Sequence, residues 1–438
     1  MRDSFDILVV GAGPAGIAAA VSAAACGKRV GLVDDNPAPG GQIWRSGGQL
    51  PPDAQWSIAS LVASSVARLQ GWRVFDAPGP GLLHAERGDG ESAEFGYKSL
   101  ILATGARERF LPFPGWTLPN VMGAGGLDAL VRGGAPIAEK RVVVAGTGPL
   151  LLAVAAHLAR HGARIVAVCE QAPLLRQLRF GAQLLSEPAK LRQGADYRAA
   201  IRGARYLTRC WIVAAQGRDR VESVTVRQGN RQWNLPCDFV GCGFHLVPNL
   251  ELPALLGCRI DDGLVSVDES MQTSVSGAYC AGEPTGIGGV ELAVLEGQIA
   301  GLAAGGRPDE AKKQARRRRG KLGFVRALAQ ACALDPHLRG LPTADTRVCR
   351  CEDVRLVALQ GHSNWRDAKL QTRCGMGPCQ GRVCGPAAEF LFGWRVQSVR
   401  PPIFPALVSS LGSGSDLIGH HPNSAPQGAS PEFAKETL

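Results

Sequence analysis

Aromatic side chains are scarce in this chain of 438 residues, at 6% of the sequence, and no helix-turn-helix, zinc-finger or RNA-binding pattern accompanies its basic residues. A formal charge of +10 therefore lacks the stacking and groove-reading partners that nucleic-acid recognition needs, and no nucleic acid is expected as a partner. The one dense basic run, Arg316 to Arg319 followed by Lys321, lies in a helix-forming stretch and reads as a solvated face or a docking surface. Long apolar runs are also missing. The Ala-rich segment Ile17 to Ala25 stops at Cys26, Gly27 and Lys28, short of the ~20 residues a membrane-spanning helix needs, so membrane contact is expected to be peripheral at most. No apolar signal segment precedes the strand pattern Phe5 to Val10, which predicts a cytoplasmic protein. In a reducing compartment clustered cysteines are metal ligands or redox groups, and scattered ones such as Cys26, Cys169 and Cys280 are small buried hydrophobes. Five of the thirteen crowd between Cys349 and Cys384.

What the sequence has in quantity is glycine at the ends of apolar strands. Phe5 to Asp34 runs strand, Gly-rich turn, Ala-rich helix, strand, the first half of a nucleotide-binding βαβ unit. A short strand, Ser99 to Ala103, leads to Thr104 and Gly105, and a Pro/Gly-rich crossing follows through Pro112, Pro114, Gly115 and Pro119. A second strand-turn-helix-strand runs from Arg141 to Glu170, followed by segments around Trp211 to Ala215 and Val221 to Arg227 that suit antiparallel strands. The chain then returns through Phe239 to Gly243, Ala278 to Gly282 and a helix from Val290 to Gly301. The expected fold class is α/β, with two Rossmann-like dinucleotide-binding domains and a small helical Cys-rich domain. Expected boundaries are residues 1–118 and 236–306 for a discontinuous first domain, 119–235 for the second nucleotide domain, 307–342 for a helical linker, 343–395 for the Cys-rich domain, and 396–438 for a Pro-rich segment with a disordered tail.

Gly11-Ala12-Gly13-Pro14-Ala15-Gly16 sits between an apolar strand and a helix. Gly11 permits the tight turn, Gly13 lets backbone amides approach a pyrophosphate, and Gly16 lets helix pack on strand. Asp34, at the end of the next strand, is placed to accept the ribose hydroxyls of an adenosine, with Asp35 as the fallback. FAD rather than NAD is favoured here by Gly40-Gly41-Gln42, by Ala103-Thr104-Gly105 at one strand end, and by Ala281-Gly282-Glu283 at another, with Gly286, Gly288 and Gly289 opening a helix beside it. The positive end of that helix dipole suits the pyrimidine side of a reduced flavin.

The second turn, Gly146-Thr147-Gly148-Pro149-Leu150-Leu151, carries Leu151 where the third glycine of the fingerprint belongs, which is expected to push its helix from its strand. Glu170 ends the following strand, where an acid takes ribose hydroxyls and repels a 2′-phosphate, so NAD or an ATP-like ligand is favoured over NADP, against a degenerate site. The Cys-rich stretch reads Cys349-Arg350-Cys351-Glu352, a gap, then Cys374-Gly375-Met376-Gly377-Pro378-Cys379-Gln380-Gly381-Arg382-Val383-Cys384. Thiolates bind iron–sulfur clusters in fours, and flanking glycines let amides turn toward the sulfurs; a structural zinc site is the competing reading. Spacing alone permits either Cys374 or Cys384 as the partner of Cys379. Histidines near the motifs, His157 and His245, read as surface or packing residues with no visible partner.

The strand-turn pieces, in this order, resemble the flavoprotein family with two dinucleotide-binding domains that includes thioredoxin and glutathione reductases. The acid after the last Ala-Gly pair, which holds the ribityl chain in that family, is Glu283 here, one methylene longer than the usual Asp. No Cys-x-x-Cys lies in the second nucleotide domain, so the disulfide chemistry of those reductases is not expected. Gly40-Gly41-Gln42-Ile43, Ala103 to Arg109, Phe113-Pro114-Gly115-Trp116, Gly282-Glu283 and Thr372 to Gly381 narrow the resemblance. They are similar to the alpha or A subunits of opine oxidase, D-hydroxyproline dehydrogenase and hydrogen cyanide synthase, with a bacterioferritin-associated-ferredoxin type [2Fe-2S] domain. By that resemblance the cluster ligands are Cys349, Cys351, Cys379 and Cys384, with Cys374 spare. The partners it implies are a flavin subunit of the D-amino-acid-oxidase type, which oxidises a carbon–nitrogen bond, a small ferredoxin-like subunit, and an electron acceptor. The resembling subunit transfers electrons. A NADH-dependent reductase feeding the cluster or a ferredoxin is the alternative.

Overall fold

The computed structural model describes residues 2–44, 50–396 and 398–412. The tail expected to be disordered lies, from residue 413 on, outside the described residues.

The first sheet has seven strands, with Arg2–Val10 at its centre, parallel to Val30–Asp34 on one side and to Ser92–Leu102 on the other. Val30–Asp34 is buried along its whole length, as a parallel strand covered on both faces must be. Ser92–Leu102 begins earlier than the short strand anticipated from Ser99. Its first half, with Ala93 and Phe95 alternating inward, pairs antiparallel with Leu82–Arg87, while Leu100 to Leu102 pair parallel with Ala278–Cys280. That last pairing brings a strand from late in the sequence to lie beside the first. Over this sheet the helices Pro14–Ala24 and Val290–Ala304 cross at backbone contact: a Cβ on Gly297 would lie 2.1 Å from the Ala15 carbonyl oxygen, and one on Gly301 2.3 Å from that of Ala19. Small residues at this crossing allow two helices to share one apolar layer.

The second sheet has five parallel strands in the order Arg205–Thr208, Arg164–Glu170, Arg141–Thr147, Phe239–Phe244, Val121–Gly123. The antiparallel strands expected after Glu170 are Cys210–Gln216 and Ser223–Gln228, joined by a third, Arg231–Pro236. Leu151 does not hold the helix Pro149–Arg160 away from its strand; it is buried, with its side chain against Gly243. The missing side chain at Gly243, on the neighbouring strand, supplies the room that glycine at position 151 would have supplied. Two chain crossings join the sheets, Ala106–Glu108 running antiparallel to Leu246–Pro248.

The long helix Pro308–Ala331 leads to the Cys-rich segment, made of the short hairpin Arg347–Cys349 and Val354–Arg355 and the helices Trp365–Thr372 and Cys384–Phe392 around a core of Val348, Leu359, Trp365 and Trp394. Among the described residues no helix is long and apolar enough to cross a membrane.

Candidate cofactor sites

Four separated pieces of sequence converge on the first glycine turn. Gly11, at φ +106°, would carry its Cβ 2.2 Å from the Ala103 carbonyl oxygen, and a Cβ on Gly16 would lie 1.7 Å from that of Gly11, so neither position admits a side chain. Gly40 N–H donates to the Ala12 carbonyl at 2.8 Å, a Cβ on Gly41 would lie 2.8 Å from Gly13 Cα, and one on Gly282 would lie 2.9 Å from Ala15 Cβ. The outward side of Gly13 stays open, the nearest described atom to its would-be Cβ being Gly41 Cα at 4.0 Å. Pro14 follows at the first helical position, where a missing N–H removes nothing, and the amides of Ala15 and Gly16 face out of the helix start, ready for an anion. Asp34, 8% exposed, is braced by Ala12 N–H at 2.5 Å and by the Asn36 backbone amide at 2.7 Å. Asp35 lies on the surface, 3.6 Å from Arg73 Nε. Gln42 is exposed beside the turn.

Across the turn, Glu283 accepts Gly289 N–H on Oε1 at 3.0 Å, while its Oε2 is buried with no partner among the described residues. Burial pushes its carboxyl up to about 7. An orphaned acceptor at the mouth of the helix Val290–Ala304 calls for a donor from a ligand, as the hydroxyls of a ribityl chain would supply, so the residues present fit a flavin dinucleotide. Behind Glu283, the buried Glu296, 1% exposed, accepts Gly282 N–H at 2.9 Å and the Thr285 hydroxyl at 2.8 Å and pairs with Arg318 Nε at 2.7 Å. One member of the basic run is thus an internal partner rather than a solvated charge. Glu296, an acid in the middle of a largely apolar helix, was the available signal for it.

The second turn is built on the same plan with a different occupant. A Cβ on Gly146 would lie 1.8 Å from the Gly243 carbonyl oxygen, matching Gly11, but a Cβ on Gly148 would lie 2.7 Å from Cys332 Sγ. Glu170, 3% exposed, accepts the Thr147 hydroxyl at 2.7 Å, Gly148 N–H at 2.8 Å and Ala172 N–H at 2.9 Å. The carboxylate expected to meet a ribose is engaged by its own chain on both oxygens.

In the Cys-rich segment the sulfurs of Cys349, Cys374 and Cys384 lie within 4.8 Å of one another, all buried. Cys379 contacts both Cys384 and Cys351, and Cys351 is exposed, so all five cysteines belong to one knot, with Cys374 inside it rather than beside it. Hydrogen bonds from the Cys374 and Cys384 thiols, with the amides of Gly375 and Glu352, hold the Cys349 thiol down to about 2. Contact with Cys384 and the amides of Val383 and Gly381 hold Cys379 down to about 5. Sulfurs gathered this closely, with backbone amides turned toward Cys349 and Cys379, are the kind of donor set a metal or iron–sulfur centre uses. Glycine is required around it: a Cβ on Gly377 would lie 2.4 Å from Cys351 Cβ, and one on Gly375 2.6 Å from the Trp365 ring.

A polar bridge that sequence reasoning missed joins the knot to the first turn. Asn249 Nδ2 donates to the Thr104 carbonyl and the Thr104 hydroxyl to the Asn249 carbonyl, both at 2.8 Å. Arg107 Nη1 reaches Asn249 Oδ1 at 2.7 Å and Glu251 at 2.9 Å, and Arg107 Nε donates to the Arg382 carbonyl at 3.2 Å, three residues past Cys379. Its signal was the position of Arg107 directly after Thr104-Gly105-Ala106, at a strand end that touches the turn. Gly105 itself accepts Asn249 N–H at 3.0 Å. Of the histidines, His245 is half-buried and held down to about 4 by desolvation and by Arg109. His157 is partnered after all, its Nδ1 2.6 Å from Asp128.

A paired-Rossmann fold with a turn open to a dinucleotide and an acid at the mouth of the opposing helix defines a flavoprotein oxidoreductase. The chain belongs to the pyridine nucleotide-disulphide oxidoreductase family, whose model matches residues 5–297, and membership supports flavin and nucleotide binding and makes it an FAD-dependent oxidoreductase. Within that family it is 33% identical over 476 residues to the A subunit of opine oxidase from Rhizobium meliloti, covering 94% of this chain and 99% of that one. It is 32% identical over 430 residues to hydrogen cyanide synthase subunit HcnB of Pseudomonas protegens, covering 87% and 90%. The fold matches L-proline dehydrogenase from P. horikoshii with a TM-score of 0.66 at 19% identity, over 94% of this chain and 80% of that one.

Proposed function

We propose that this chain is the electron-transferring subunit of a heteromeric dehydrogenase that oxidises the carbon–nitrogen bond of a secondary amine, an opine or an imino or amino acid. The oxidation itself is assigned to a partner flavin subunit of the D-amino-acid-oxidase type, with a small ferredoxin-like subunit completing the assembly. FAD is assigned to Gly11, Gly13, Pro14, Ala15, Gly16, Asp34, Gly41, Gln42, Ala103, Thr104, Gly105, Gly282, Glu283 and Gly289, and a [2Fe-2S] cluster to Cys349, Cys351, Cys379 and Cys384. When bound, the flavin accepts a pair of electrons and the cluster passes them on singly.

The residues of this chain bind and orient. The Ala15 and Gly16 amides hold the pyrophosphate at the helix start, Asp34 takes the ribose hydroxyls, and Glu283 Oε2 accepts a ribityl hydroxyl. The observation that carries the reading is the bridge Thr104–Asn249–Arg107–Arg382, which ties the flavin strand end to the loop after Cys379. Two chemically distinct redox sites held at fixed separation suit relay rather than substrate chemistry.

Anaerobic purification of the full chain tests this. Flavin absorbance together with iron and acid-labile sulfide is expected, with a second flavoprotein and a small ferredoxin-like chain co-purifying from the native source. Cys379→Ser should lose the iron, whereas Cys374→Ser should keep it. A colourless preparation, or one holding zinc in place of iron and sulfide, overturns the reading.

A further inference from the structure

We infer that the glycine turn of the second nucleotide domain is the socket for the chain's own linker, so that it takes no nicotinamide or adenine nucleotide and the flavin is not reduced by NADH or NADPH. The electron source is what this decides, whichever metal the cysteines hold.

In a dinucleotide fold the second glycine lacks a side chain so that a pyrophosphate can approach its backbone. At Gly148 that approach is taken: Cys332 Sγ stands 2.7 Å from where a Cβ would be, and Cys332 is itself buried. Cys332 follows the last turn of the helix Pro308–Ala331, and the residues after it are gripped from the turn side. Gln171, next to the strand-end acid, donates to the Ala333 carbonyl at 3.1 Å and accepts Asp335 N–H on its own carbonyl at 2.9 Å, while its amide also reaches the Thr147 hydroxyl at 3.1 Å. Arg176 adds a second donor to the Ala333 carbonyl at 2.7 Å. Glu170 is tied down by Thr147, Gly148 and Ala172 much as Asp34 is by Ala12 and Asn36, so it is the filled space at Gly148, not the acid, that sets this turn apart. A nucleotide would therefore have to displace the thiol from the phosphate position and break the Gln171 and Arg176 bonds that hold the linker there. The same contacts give the domain another task. They fix residues 332–335, and with them the start of the Cys-rich module, against the second sheet.

The family to which the chain belongs is named for a pyridine nucleotide, and in this chain the residues of the second turn do not fit one. A dehydrogenase subunit fed by a partner has no need of the site, and its glycine turn, freed from ligand, is used as a mount.

The test uses the full chain as purified. Calorimetric titration with NADH, NADPH and ATP should show no saturable binding at concentrations on the order of 1 mM, where a functional site binds far more tightly. In anaerobic stopped flow the flavin should stay oxidised with NADH and bleach with dithionite. Alkylation of Cys332, followed on its own peptide by mass spectrometry, should be slow and unaffected by any of the three nucleotides. Gln171→Ala, which removes the grip without touching the flavin turn, should raise that alkylation about tenfold or more while flavin content is unchanged. Saturable nucleotide binding, flavin bleaching by NADH or NADPH, a nucleotide-dependent change in Cys332 labelling, or unaltered labelling in the Gln171 variant would each overturn the inference. Labelling of Cys332 needs no bound flavin or iron, so a preparation lacking both would defeat the proposed function and still test the socket.

Discussion

The two glycine turns of this molecule begin from nearly the same sequence and end in opposite states. Each follows a buried parallel strand, opens a helix with proline at its first position and is braced by an acid from the next strand end, Asp34 in one case and Glu170 in the other. The outward face of Gly13 meets no described atom closer than 4.0 Å, whereas that of Gly148 meets a cysteine sulfur at 2.7 Å. Both acids are held on both oxygens, Asp34 by Ala12 and Asn36 and Glu170 by Thr147, Gly148 and Ala172, so the neighbour at the glycine and not the acid separates the two turns. A glycine fingerprint is therefore a description of what a backbone permits, and the neighbour that arrives from elsewhere in the chain decides what it holds.

The largest expected effect that sharpens this contrast is at Gly13. Gly13→Val should abolish flavin retention, read as the ratio of flavin absorbance to protein, because its side chain would stand where the pyrophosphate approaches. Gly148→Val should leave flavin retention intact and fail instead in thermal stability, since its side chain meets Cys332 and the residue sits at φ +96°. Loss of flavin from the second variant alone would break the comparison.

Glu170→Ala comes next, with a loss of roughly 4 kcal/mol by denaturant unfolding, because it leaves the Thr147 hydroxyl and two amides without their acceptor in a buried site. Flavin content should not change. Arg318→Ala should lose about 3 kcal/mol by stranding the buried Glu296 carboxylate, and it should weaken flavin binding because Glu296 shapes the Gly282-Glu283 turn. Its exposed neighbour Arg317, replaced by Ala, should change stability by less than about 0.5 kcal/mol in the same assay.

Smaller than the Glu170 and Arg318 effects is the pH dependence set by Glu283. Its folded-state pKa, about 7, lies above the ordinary carboxylate value of 4.5, so the stability it contributes is present below the lower value and is lost as pH rises through the higher one. Flavin-free protein should thus lose about 2 kcal/mol from this group between pH 5 and pH 8, visible as a falling Tm. Glu283→Gln should flatten that slope, and an unchanged slope would remove Glu283 from the account.

Much of the first turn was legible because its parts are local. Gly11 to Gly16, the strand before it, the helix after it and Asp34 fall within one βαβ unit, and periodicity together with glycine spacing identifies them. The Cys-rich knot was legible as a density of thiols, but its internal arrangement was not: Cys374 lies within the group in space although spacing leaves its role open. The partners in the Arg107 bridge, the Glu296–Arg318 pair and the Cys332 contact could not be read, even where Arg107 and Glu296 stood out, because each joins residues from different elements and a single sequence carries no record of which elements pack together. The expectation that Leu151 would separate helix from strand failed for the same reason, since the space it fills is made by Gly243 on another strand.

Residue order alone specified the kind of local structure each segment adopts, where glycine is needed for a turn, and which residue types stand ready for phosphate and for metal. Those properties follow from backbone sterics and hydrogen-bonding capacity within a few neighbouring residues. Which turn stays open and which is filled was settled by long-range packing, because occupancy of a small volume depends on a side chain that reaches it from far along the chain.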